Sequence, residues 1–219
     1  MQFTVTDLLS RMDDLLNDAG RVRWPVTVRK RWLLDAQHAI IAADPTFGLP
    51  EPIDLPLVAG RVEQQLSPPN VAALLDVTHN VVGGLVRDSI RYISRAQMDA
   101  QRPNWMREAA SSTIRYWMPS QGEPTLFYVY PVPKAGVTVR GRIVYFPTSP
   151  DNDPINQIRG SMKSAVLHLA VAYCFMADDT PGDRENVATH LTLAANGMRS
   201  GGMADEKVIR SIVERSPPR

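Results

Sequence analysis

Apolar and polar positions follow three successive rhythms along the chain. From Phe3 to Asp18, the residues Leu8, Leu9, Met12, Leu15 and Leu16 recur at helical spacing, opposite Asp7, Arg11, Asp13, Asp14 and Asp18. The pattern predicts a helix that stops at Ala19-Gly20. A second helix is expected after Trp24-Pro25, with Val28, Trp32, Leu33, Ala36, Ile40 and Ile41 on its buried face. It ends at Asp44-Pro45, because a residue before proline resists helical geometry.

From Phe47 to Pro150 the period drops to two and prolines become frequent. Asp54–Val58, Arg61–Leu66, Leu74–Thr78 and Ser89–Ile93 read as short strands, followed by Ile114–Trp117, Thr125–Tyr130 and Val137–Phe146. Pro131–Gly136 has the length of a hairpin connection, so the strands flanking it are expected to pair. Ser94 reads as a helix N-cap with Gln97 completing a capping box, opening a short helix that stops before Pro103.

The helical period returns after Pro150. Ile155, Ile158, Met162, Ala165, Leu169, Ala172, Tyr173 and Met176 form one apolar stripe, a turn follows at Asp178–Asp183, and Val187–Met198 makes a second helix closed by Gly201-Gly202. A short joint between two helices implies an antiparallel pair. The predicted fold class is therefore α+β. A helical bundle is built from N-terminal helices (residues 1–46) and a C-terminal antiparallel helix pair (151–202). A β-rich middle region (47–150) forms a central antiparallel sheet or small barrel, and residues 203–219 form a docking tail, disordered until it meets a partner.

Composition narrows the function classes. At 219 residues the chain is long enough to bury a core without staples. The single cysteine, Cys174, excludes an intramolecular disulfide framework and a Cys-rich zinc site. No apolar run is expected to reach the ~18 residues of a membrane span. The first residues lack the basic and apolar regions of a signal peptide, so a soluble protein of a reducing compartment is expected.

The net charge of +1, from 24 basic and 23 acidic residues, excludes a strongly basic nucleic-acid binder. Its distribution is uneven. The first helix carries −3, and Arg21, Arg23, Arg29, Lys30 and Arg31 then place +5 within eleven residues. These faces pair either within one subunit or between neighbours. Arginine supplies 20 of the 24 basic residues, which suits forked contacts at interfaces or reflects a coding bias toward GC.

Chemistry-bearing constellations are sparse. His38, His79, His168 and His190 share no metal-ligand spacing, and His38 and His168 fall on helical stripes as structural histidines. Cys174 reads as a small core residue. Gly83-Gly84 matches no phosphate or dinucleotide loop. Asp151-Asn152-Asp153 and Asp178-Asp179 with Asp183 read as turn or cap residues sooner than cation ligands. No cofactor is expected. Arg87, Arg91 and Arg95, spaced four apart, are expected to share one face, turned to phosphates, to a partner's carboxylates, or to solvent beside Asp88, Asp99 and Glu108. Trp24, Trp32, Trp105 and Trp117, with the tyrosines, read mainly as core.

The run Leu15-Leu16-Asn17-Asp18, Arg23-Trp24-Pro25 and Trp32 to Ile40 resembles the opening of the head-to-tail adaptor or connector proteins of tailed phages. Leu55–Gly60, Leu74–Val77 with Asn80, Ile90-Arg91 with Arg95, Met98-Asp99, Pro103-Asn104-Trp105, Phe127–Pro131 and Val144-Tyr145 continue it in order. The C-terminal helix pair is similar to the bundle of tail-tubular A-type adaptors of short-tailed phages.

The resemblance implies a homo-oligomeric ring, usually of about twelve copies, beneath the portal protein. Such a ring carries the tail nozzle or tube and passes double-stranded DNA without reading its sequence. It sits in the virion after assembly in the host cytoplasm and involves no membrane. On that reading, Val208, Ile209, Arg210, Ile212, Val213, Arg215 and Arg219 are portal-interface candidates. Asp7, Arg11, Asp13, Asp14, Arg29, Lys30 and Arg31 are subunit-interface candidates, and Arg87, Arg91 and Arg95 face the channel or an interface. The alternative is a sequence-tolerant DNA-binding accessory protein using the arginine clusters. A hydrolase has no residue set to nominate.

Overall fold

The computed structural model describes residues 3–151, 155, 157–178 and 182–214. The chain divides into two compact units, one formed by residues 1–49 with 146–219, the other by residues 50–145.

The first unit is helical. Thr4 caps α1 (Val5–Leu15) by accepting a hydrogen bond from the Asp7 N–H at 3.0 Å, and Val5, Leu8, Leu9 and Met12 turn inward. Leu15, expected on the same stripe, is partly exposed. Helix α2 (Val26–Ala43) starts after Pro25, where a missing N–H costs nothing, and buries Trp32, Leu33, Ala36, Ile40 and Ile41. It ends at Asp44, whose extended backbone and side chain, accepting from the Thr46 N–H at 2.9 Å, begin a short 3-10 turn.

The C-terminal half departs from the expected single stripe. Ile155 and Ile158 are not helical; they form isolated β-bridges with Phe3 and Gly48. Helix α4 (Lys163–Asp178) begins only after a 3-10 turn at Gly160–Met162, and ten of its sixteen residues are buried. Such all-round burial marks the central helix of a bundle. Among the described residues, Gly160–Asp178 is apolar and long enough to cross a membrane by length and composition, contrary to expectation. Since 61% of it is buried inside the protein, it reads as a core helix.

Helix α5 (Asp183–Ser200) runs antiparallel to α4, with His190 beside His168 and Gly197 beside Ala165. A Cβ at Gly197 would lie 2.7 Å from the Ala165 nitrogen, so glycine alone permits this backbone approach. The expected disordered tail is instead partly folded. Asp205 caps α6 (Glu206–Val213), and Ile209 and Ile212 are buried against the bundle, where α6 meets α5 and α2.

The second unit holds eight strands in two four-stranded sheets. One has the order β1 (Glu51–Pro56), β8 (Thr138–Tyr145), β3 (Val71–Val82), β4 (Leu85–Ser89). The other has β2 (Glu63–Gln65), β7 (Leu126–Tyr130), β6 (Tyr116–Pro119), β5 (Arg91–Tyr92). All pairs are antiparallel except β5 with β6. Leu55, Val77, Val139 and Ile143 of the first sheet share one core with Trp117, Phe127 and Val129 of the second. Gly141 makes room within it, since a Cβ there would lie 2.7 Å from Leu55 Cδ1.

The strands flanking Pro131–Gly136 do not pair: β7 and β8 belong to different sheets. The connection crosses between layers. The sequence also hid β4, which returns from β3 through the tight turn Gly83-Gly84. The short α3 (Arg95–Gln101) has the expected capping box, Ser94 and Gln97 bonding reciprocally. Together these units make an α+β protein.

Candidate functional site

Surface charge was the expected currency of this protein, and much of it is spent inside the subunit. Arg29, read from sequence as part of an exposed basic face, has no exposed surface. Its Nε donates to the Trp24 carbonyl at 2.7 Å, and its Nη2 donates to the Asp18 carbonyl at 2.8 Å and carboxylate at 2.7 Å. Its Nη1 reaches Asp13. Four of its five N–H groups are engaged and the side chain is wholly buried, so Arg29 offers no exposed surface to a neighbour. It ties the end of α1 to the start of α2.

The neighbouring candidates follow the same logic. Asp13 also accepts from Arg21 at 2.8 Å, and that guanidinium, followed by Arg29, holds its carboxyl below the usual range. Asp7 pairs with Lys163 and, at 3.7 Å, with Arg11; the hydrogen bond from Lys163 is the main reason its carboxyl is held low. Lys30 pairs with Asp151, and Arg31 lies 3.8 Å from Asp35 with its guanidinium over Trp32. Burial pushes the Asp35 carboxyl up against the pull of Arg31. Asp14 is exposed and has no ion pair among the described residues.

The arginine row does not define one face. Arg87 lies on β4, Arg91 on β5 and Arg95 opens α3. Between the first two, Ile90 turns into the core and donates to the Thr78 carbonyl at 2.8 Å, whereas Arg91 donates to the Arg115 carbonyl at 3.0 Å. The chain leaves one sheet for the other at that point. Arg95 stacks over Tyr128 at 4.9 Å and sits 3.9 Å from Asp99, beside an open polar hollow also lined by Tyr92 and Glu123.

On α6, Ile209 and Ile212 are buried in their own bundle and cannot serve as portal contacts without unpacking. Val208 and Val213 are half-buried, and Arg210 is exposed, with Glu214 3.9 Å away. Arg215 and Arg219 lie outside the described residues.

His38, His168, His190, Cys174, Asp178 and Asp183 are engaged in packing or in contacts within the chain. His38 meets the Pro147 carbonyl at 2.6 Å and stacks on Phe146. His168 and His190 approach through their Nδ1 atoms at 3.1 Å, and burial lowers both below the usual imidazole value. Burial pushes the Cys174 thiol up to about 12, so it is no nucleophile. Asp178 and Asp183 together clamp Arg23 instead of holding a cation, and Asp179, Asn152 and Asp153 lie outside the described residues. Among the described residues no group of three His, Cys, Asp or Glu side chains could hold a metal ion.

Many of the charged side chains of this α+β protein thus pair with one another within the chain. The profile of the SU10 adaptor protein family matches residues 3–215, nearly the whole chain. The chain belongs to that family and is a structural adaptor of phage; the family is not one of enzymes. No curated protein matches it.

Proposed function

We propose that the chain is the repeating subunit of a head-to-tail ring. The ring, of about twelve copies on the resemblance to tailed-phage connectors, sits between the portal protein and the tail nozzle or tube and surrounds a channel for double-stranded DNA. The observation that carries this reading is the match to an adaptor family across residues 3–215. The charge balance supports it: a sleeve that DNA must traverse gains from avoiding the counterion-release affinity of a basic protein.

The portal contact is assigned to the outward side of α6, centred on Arg210 with Val208 and Val213 at its margins, and to the segment beyond it that carries Arg215 and Arg219. On α1 and α2, Asp14, which has no ion pair among the described residues, and the exposed Arg11 and Arg31 are the charges we assign to a neighbour, whereas Lys30 is already paired with Asp151. Imaging of purified particles and of a co-assembly with the portal tests the whole reading. A ring of density between portal and tail that is lost with the gene supports it, and absence of the chain from the virion sinks it. Arg210→Gln should weaken portal association while the far-ultraviolet spectrum shows the chain still folded; undiminished association removes α6 from the contact.

A further inference from the structure

The β3–β4 hairpin ends in an apolar tip that its own subunit leaves uncovered. Gly83 and Gly84, with φ of 60° and 77°, form the tight turn, and Val82, Leu85 and Val86 are 59%, 60% and 43% exposed. All five residues of β4 are exposed, and the strand is the outer edge of its sheet. At the opposite edge of that sheet is β1. Beside it opens a groove of about 380 Å³ walled by Ile53, Leu55, Val58, Leu66, Pro68 and Phe127. Tip and groove lie at the same end of the sheet, since Val81 pairs with Thr138 and Thr138 with Pro56.

The residues decide how two copies can use these features. Leu57 donates its N–H to Val137 on the β8 side, so alternation turns the backbone nitrogens of residues 52, 54 and 56 to the free edge. Two of those three are Pro52 and Pro56, which cannot donate. The β1 edge therefore rejects an added strand, while the groove beside it still accepts side chains. Full-length two-fold pairing of β4 with itself centres on Arg87 and sets two guanidiniums opposite each other. The charges favour the head-to-tail arrangement instead. Among the described residues Arg87, next to the tip, has no carboxylate within 4.0 Å, and Glu51 and Glu63, two residues before Ile53 and one before Gln64 of the groove wall, have no cation within that distance.

We infer that the Val82-Leu85-Val86 tip of one copy seats in the groove between β1 and the Leu66–Pro68 segment of the next, with Arg87 reaching Glu51 or Glu63. Complementary features on opposite edges of one sheet make a heterologous contact, which repeats in one direction and closes into a ring when the rotation allows. The inference deepens the ring reading above by naming its subunit contact.

Full-length chains carrying Leu85→Cys, mixed with chains carrying Val58→Cys, test the contact under mild oxidation; both positions are exposed and Cys174 is buried. A linked 85-to-58 pair is expected, as is a ladder of multimers from the chain bearing both changes. Adding Val86→Asp should reduce the linked product about tenfold. Products confined to 85-to-85 pairs, or no link up to millimolar concentration, overturn the inference. Imaging keeps the two readings apart. A ring in particles whose subunits form no 85-to-58 link leaves the ring standing and overturns this contact. A link in solution with no ring in particles upholds the contact and sinks the ring.

Discussion

The side chain of Asn80 and the backbone of Ile114 hold each other by two hydrogen bonds, both 2.8 Å. The Asn80 carbonyl accepts from the Ile114 N–H, and its amide donates to the Ile114 carbonyl and to that of Asp88 at 3.1 Å. Asn80 belongs to β3 in one sheet, and Ile114 leads into β6 in the other. A single buried side chain thus stands where a strand pair would otherwise be needed. Asn80→Leu keeps the volume but leaves three backbone groups without their partner, at a cost of about 2–4 kcal/mol. Urea unfolding measures it, and a midpoint equal to the parent's would remove Asn80 from this role.

Arg29 offers a second case in which one side chain closes a polar network. Arg29→Met preserves the apolar stem and removes every donor, taking their shared cation from Asp13 and Asp18 and the Nε partner from the Trp24 carbonyl. Breaking a buried charge pair from one side costs about 3–5 kcal/mol. Chemical denaturation should show that loss. A change below about 1 kcal/mol would place Arg29 among ordinary surface arginines.

The His168–His190 pair makes stability depend on pH. One Nδ1 must donate and the other accept across 3.1 Å, so the contact requires at least one neutral ring. Burial lowers both values, and His168 lowers that of His190 further. The unfolded chain therefore takes up protons first, near about pH 6.5. Stability is complete above that pH and is lost as pH falls through it toward the lower folded values. The thermal midpoint should drop between about pH 7.5 and pH 5.5, and His190→Gln should flatten that drop; an equal drop in the variant assigns the effect to other groups.

These features differ in how plainly the sequence announces them. The helices α1, α2 and α5 and the capping box at Ser94 were legible, because apolar spacing and caps are local signals. Charge was legible only as composition. Whether Arg29 faced a neighbour or its own α1 depended on the turn between Asp18 and Trp24, which periodicity does not encode. Loop length does not decide the partners of β7 and β8, since a six-residue connection serves a hairpin and a crossing between sheets equally well. A Gly-Gly pair between Val81-Val82 and Leu85-Val86 is a hairpin signal. The β3–β4 hairpin is therefore locally encoded. The spacing of Arg87, Arg91 and Arg95 carried no structural meaning once Ile90 broke the strand. Ile209 and Ile212 carry no local signal of where they are buried; the bundle holds them through contacts of long sequence separation.

That dispersal of arginines sets the last expectation, that the free subunit does not hold duplex DNA. Residues 50–145 carry ten basic and eight acidic side chains, and several of the arginines are already engaged. Arg140 pairs with Asp54 at 2.7 Å, Arg102 with Glu108 at 3.4 Å, and Arg95 lies over Tyr128. Each phosphate neutralised contributes about −0.9 to the slope of log affinity against log salt, and firm non-specific binding uses about 6–10 of them. Of the row, only Arg87 and Arg91 are left without an ion pair among the described residues, and the unit's eight carboxylates offset its other cations. Gel-shift titration should give no retained complex near about 0.15 M salt, with at most a shallow slope at lower salt. A slope of about −6 or steeper would overturn the sleeve reading in favour of a DNA-binding accessory protein. The variant Arg87→Ala separates the two: in a sleeve it weakens association between copies and leaves the DNA titration unchanged, whereas in a DNA binder it makes the salt slope shallower by about one phosphate.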